Sequence, residues 1–120
     1  MQTDRKRELK KLYKMTKPDM GAFIIRPSEG NKFFIQATPD LRGVMNGALV
    51  RLNGGTHPNR ELQKAWSEKG AAHFTMEIVE KLKYDKDETK TDYSEELELL
   101  RMIWEEKFEK EGMELYRKRI

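Results

Sequence analysis

The sequence predicts an α+β domain, a three-stranded, mainly antiparallel sheet flanked by helices, with an extra N-terminal helix. Three observations predict it. Two short apolar runs of β-formers, Gly21-Ala-Phe-Ile-Ile-Arg26 and Lys32-Phe-Phe-Ile-Gln-Ala37, flank a Pro27-Ser-Glu-Gly30 turn and read as a β-hairpin. Two helical patterns with their own start and stop residues follow. A third, alternating run through Phe74, Met76 and Ile78 then leads to a last long helical pattern.

Taken in order, Thr3 caps a first helix to about Lys14, with Leu9, Leu12 and Tyr13 on one side and basic or polar residues elsewhere. Lys17-Pro18-Asp19 stops it. Neither hairpin strand alternates cleanly, so both are expected to be covered on two faces. Thr38-Pro39-Asp40 starts the next helix, with a capping hydroxyl and proline at the first helical position. Leu41, Val44, Met45, Ala48, Leu49 and Leu52 give it an apolar face, and Gly54-Gly55 ends it. Gly43 and Gly47 sit one turn apart inside it, each at a cost of ~1 kcal/mol relative to Ala, so close packing or a groove is expected there. Thr56-His57-Pro58-Asn59 starts a helix with Leu62, Ala65 and Trp66 inward, stopped by Lys69-Gly70. The third strand runs to a Lys- and Asp-rich connection from Leu82 to Thr91. Asp92-x-x-Glu95 has the form of a capping box for the last helix, which carries Leu97, Leu100, Ile103, Trp104 and Phe108 inward. The chain thus reads as one domain of 120 residues: a basic helix over 1–17, a core over 20–111 and a tail over 112–120.

Composition excludes several classes of function. Without cysteine there is no thiol nucleophile, disulfide scaffold or Cys-ligated metal site. No apolar run approaches ~18 residues, and the N-terminus lacks the apolar stretch of a secretory signal, so a cytoplasmic protein without membrane contact is expected. Two separated histidines, His57 and His73, offer no zinc pattern, and Gly54-Gly55 lacks the residues of a phosphate loop. The net charge of +3 is unevenly spread. Residues 1–17 hold seven Lys/Arg against two acids, and residues 71–120 hold ten against fourteen. Such asymmetry steers polyanions to one end, and it equally describes helix surfaces that attract each other.

From Gly21 to Trp104 the chain resembles the GIY-YIG nuclease superfamily. Gly21-Ala22-Phe23 stands where that family has Gly-Ile-Tyr, and Phe34-Ile35-Gln36 where it has Tyr-Ile-Gly. The stretch Gly55-Thr-His-Pro-Asn-Arg-Glu-Leu-Gln-Lys-Ala-Trp66 is similar to a segment of many small bacterial members. The resemblance implies metal-assisted phosphodiester hydrolysis, which needs an activated water, a carboxylate for a hard cation and a positive group for the phosphate. Carried over by position, the two tyrosines fall on Phe23 and Phe34, the second motif's glycine on Gln36, the helix arginine on Val44, its histidine on Ala48 and the metal-binding glutamate on Arg101. A shift of register makes Glu98 the ligand.

The resemblance therefore implies no catalytic residue and no cofactor, and a groove lined by Phe23, Phe34, Gly43, Gly47 and Ala48, which a neighbour such as Leu99 or Met102 could fill. Three readings stay open. The first is an inactive domain retained to bind DNA or RNA through Lys10, Lys11, Lys14, Arg42, Arg51, His57, Asn59, Arg60, Gln63 and Lys64. The second is a protein-interaction module using the apolar groove. The third is a weak nuclease in which Glu98 holds Mg²⁺ or Mn²⁺.

Overall fold

A computed structural model describes residues 17–116. The first helix expected from the sequence, with Lys10, Lys11 and Lys14, lies outside the described residues. Strand β1 (Met20–Pro27) pairs antiparallel with β2 (Lys32–Thr38) on one side and β3 (Phe74–Leu82) on the other. Helices α1 (Leu41–Gly54), α2 (Arg60–Lys69) and α3 (Ser94–Lys110) pack around this sheet, and a short 3₁₀ turn, Ala71–His73, leads into β3.

The sheet has four strands rather than three. After α3 the chain turns at Gly112, and β4 (Glu114–Leu115) lies parallel to β2 in the order β3-β1-β2-β4. Glu114 N donates to Asn31 O at 2.8 Å and Tyr116 N to Phe33 O at 2.8 Å. Residues 112–116 are thus part of the fold and not of a tail; Tyr116 is buried.

As the central strand, β1 is covered on both faces, which is why its apolar run does not alternate. Phe23 and Ile25 face α1 and α2, in a core with Leu41, Leu52, Leu62 and Trp66. Ile24 faces the other way, with Phe33, Ile35 and Phe108. Gly21 permits the β1–β3 approach: a Cβ there would stand 2.1 Å from Glu80 O. Beyond it the pairing shifts register: Ala22 lies opposite Glu80 and Phe23 opposite Ile78, so Val79 is an extra residue that bulges β3.

Several local expectations are corrected. Helix α1 begins at Leu41, with Asp40 as its cap accepting from Gly43 N at 3.1 Å. Pro39 precedes it, and the Thr38 hydroxyl accepts from Asp40 N instead of capping the helix. Asp92 bonds Ser94 and caps nothing; Tyr93 stands at the cap of α3 without a side-chain cap bond. Leu82 belongs to β3. Leu49 and Ile103, expected on the apolar faces of their helices, are exposed. Gly55, at φ 78°, ends α1 in the left-handed conformation that glycine adopts without steric cost.

Candidate functional site

Between α1 and α3, across β2, lies an open groove of about 1130 Å³. Phe34 and Gln36 form its floor with neighbours from β2, while Gly43, Val44, Gly47, Ala48 and Arg51 form the α1 wall. Ser94, Leu97, Glu98, Arg101 and Glu105 form the α3 wall, and His57 and Asn59 close the end toward α2 with Leu115 and Tyr116.

The position-by-position expectations therefore converge on one place, apart from Phe23. That ring is fully buried beneath the groove, edge-on to Phe34 at 6.3 Å, because β1 lies one strand further into the sheet. Leu99 and Met102 do not fill the groove; both are exposed, on a part of α3 that does not line it. The two helical glycines have different causes. A Cβ on Gly43 would stand 2.3 Å from Asp40 Oδ2, so that glycine makes room for the cap. A Cβ on Gly47 would meet nothing within 4 Å, so Gly47 is a bare stretch of groove wall.

The α2 end is a closed hydrogen-bond network. His57 Nδ1 accepts from Asn59 N at 3.0 Å, and His57 N donates to Gln63 Oε1 at 2.9 Å. Gln63 Nε2 donates to Leu52 O at 2.9 Å and Ser67 Oγ at 3.1 Å. Asn59 Oδ1 caps α2 by accepting from Leu62 N at 3.0 Å, and its Nδ2 donates to Tyr116 O at 3.1 Å. Asn59 and Gln63, expected from the sequence to touch nucleic acid, thus have every side-chain polar atom engaged within the protein. They hold the α1–α2 turn and the C-terminal residues together. His57 stands edge-on to Phe34 at 5.2 Å, with Nε2 as its only ring nitrogen without a bond among the described residues. Burial holds its pKa below the ordinary 6.5, and the positive charge of Arg51 pushes the same way.

The α3 wall is ionic. Arg101 donates from Nε to Glu98 Oε2 at 3.3 Å and from Nη2 to Glu98 Oε1 at 2.5 Å, while its Nη1 is paired with Glu105. Hydrogen bonding to this guanidinium, with its charge, holds the Glu98 carboxyl below its usual range. Glu105 escaped the sequence reading, although its position four residues after Arg101 is the spacing at which helical side chains meet. These residues do not suit a divalent cation. Among the described residues no three His, Asp or Glu side chains come together to hold a metal, and the carboxylates nearest the expected ligand position already embrace an arginine.

The expected nucleic-acid contacts do not gather on one surface. Arg51 lines the groove, whereas Lys64 lines a separate depression beside Lys32, Glu61 and Glu68; Arg42 and Arg60 are exposed outside both.

The arrangement of sheet and helices matches the fold of a GIY-YIG nuclease catalytic domain, with a slightly different number of strands. The catalytic domain of the homing endonuclease I-TevI matches with a TM-score of 0.63 and 19% identity, over 82% of this chain and 96% of that one. A glutamate-to-alanine mutant of that domain matches at 0.61 and 19%, over 80% and 90%. No family model and no curated protein sequence matches the chain.

Proposed function

We propose that this nuclease-fold domain binds nucleic acid in its groove without cutting it. The observation that carries the reading is Arg101, clasped by Glu98 and Glu105 where the resemblance calls for a carboxylate free to hold a metal. A guanidinium there stabilises negative charge but activates no water. Phosphate would be met by Arg51, which has no ion-pair partner among the described residues, and by the Nε2 edge of His57. Phe34 supplies an apolar ring beside them, and Arg42, Arg60, Lys64, Lys10, Lys11 and Lys14 add long-range attraction.

The test uses labelled duplex and single-stranded DNA or RNA with the full chain at ~50 mM salt, where electrostatic binding is strong. With three phosphates neutralised, affinity should fall about 40-fold between ~50 and ~200 mM. Arg51→Glu should weaken binding to every sequence alike. Supercoiled plasmid incubated with Mg²⁺ or Mn²⁺ should stay intact; nicking would reinstate the nuclease reading with Glu98 as ligand.

One observation favours a protein partner instead: the groove holds three carboxylates, Asp92, Glu98 and Glu105, against two arginines. No nucleic-acid binding at ~50 mM salt would transfer the function to that reading.

A further inference from the structure

Helix α1 has a second surface, outside both core and groove. Arg42, Asn46, Leu49 and Asn53 follow one another at i, i+4, i+7 and i+11, which puts them on one stripe of the helix. All four are exposed, and Val50 beside them is 71% exposed. The helix contains no acidic residue, and its two arginines, Arg42 and Arg51, have no ion-pair partner among the described residues. Asp40, the nearest acid in sequence, is engaged with Gly43 N as the cap.

We infer that this stripe enters the major groove of duplex DNA and reads base pairs there, an inference that rests on the nucleic-acid reading above. Three features select this occupant. The first is chemistry. The Asn46 side chain has no hydrogen-bond partner among the described residues, so its carbonyl and amide are both available, the pair of groups that meets N6 and N7 of adenine. Asn53 is different: Trp66 Nε1 donates to its Oδ1 at 3.1 Å, which leaves Nδ2 as a donor for an acceptor on a base edge. Leu49 and Val50 add the apolar groups that contact thymine methyls.

The second is shape. Because α1 is one wall of the protein's groove, the two partners interlock: the helix lies in the groove of the DNA while a phosphate backbone lies in the groove of the protein, beside Arg51 and His57. From Arg42 to Asn53 the stripe is about 16 Å long at ~1.5 Å per residue, enough for about five base pairs at ~3.4 Å each. The major groove of an RNA duplex is too narrow to be read this way. The third is charge. Helix α3 carries six glutamates against three basic residues whereas α1 carries arginine alone, so the field turns the α1 side toward a polyanion.

The test presents the full chain with short DNA duplexes of random sequence at ~50 mM salt, and sequences those it retains. A preferred site of about five base pairs containing an A·T pair should emerge. Asn46→Ala should flatten the preference at one A·T pair by about 5-fold or more and at no other position. Uracil in place of thymine in the preferred site should weaken binding about 4-fold, the share of one buried methyl, and the double variant Leu49→Ser, Val50→Ser should remove that difference. A retained pool that stays random while binding still falls with salt would overturn this inference and leave the groove reading standing, as would tighter binding to single strands than to duplex. A preferred site that survives both sets of substitutions would also overturn it, placing the base contacts elsewhere. Absence of any nucleic-acid binding would overturn both readings together.

Discussion

The two polar ends of the groove are built on opposite plans. At the α2 end, uncharged groups on His57, Asn59 and Gln63 are buried and bonded almost entirely to backbone. Along α3, a full positive charge lies between two negative ones, all on one helix and partly in water. The difference teaches where stability and function separate. Bonds from Asn59 join residues 57 positions apart, so they hold the fold together, whereas the Arg101 pairs join neighbours within two turns and hold only themselves.

The comparison breaks most visibly at Asn59. Asn59→Ala removes the cap of α2 and leaves both Leu62 N and Tyr116 O without partners in a buried place. The expected loss is about 3 kcal/mol in urea-induced unfolding. Asn59→Ser keeps an uncharged cap acceptor for Leu62 N and loses the donor to Tyr116 O, so a smaller loss, about half, is expected. Equal losses from the two variants would show that the cap, and not the tie to the C-terminal residues, carries nothing.

A sharper contrast lies within α1. Gly47→Ala adds a methyl where nothing stands within 4 Å and improves helix propensity, so it should stabilise the protein by about 1 kcal/mol. Gly43→Ala drives a methyl against Asp40 and should cost about 1 kcal/mol through the displaced cap. Thermal unfolding of the two variants checks the opposite signs. If Gly47 is kept to leave room for a ligand, Gly47→Ala should also weaken nucleic-acid binding while raising Tm.

The closed network further predicts a dependence on pH. His57 is held below 6.5 in the folded chain. Above pH 6.5 neither state carries the proton; below it, the unfolded chain takes up a proton before the folded one does. Stability should therefore fall as pH drops from 7.5 to 5.5. Replacing the ring by His57→Gln should flatten that part of the profile, as measured by urea unfolding at each pH.

Much of this architecture was legible before the structure. The hairpin announces itself through two β-forming runs around a turn, and α1, α2 and β3 through period and through Gly55, Asn59 and Gly70 at helix ends. Strand β4 does not, because two residues paired with a strand more than eighty positions earlier leave no local pattern. Phe34, Val44, Ala48 and Arg101 reach the groove as the resemblance implied, since strand and helix periods fix their directions once the register is set. Phe23 was misplaced for a topological reason: nothing local reveals which hairpin strand will lie at the centre of the sheet. Asn59 and Gln63 look like ligand-binding residues in sequence because a buried polar side chain and an exposed one are spelled identically.

The smallest effect on stability is expected at Arg101, and it is the most discriminating. Exposed or half-exposed pairs within a helix contribute little, so Arg101→Gln should cost less than about 1 kcal/mol, and less still at high salt. Its consequence is chemical. Without the guanidinium, Glu98 and Glu105 lose their shared partner, and the Glu98 carboxyl should titrate closer to its ordinary range, observable by NMR. If Arg101 also gives the groove its affinity for phosphate, the variant should bind nucleic acid more weakly although it folds as well as the parent. If binding is unchanged, the attraction resides at Arg51 and His57, and the α3 wall serves only to keep its own charges balanced.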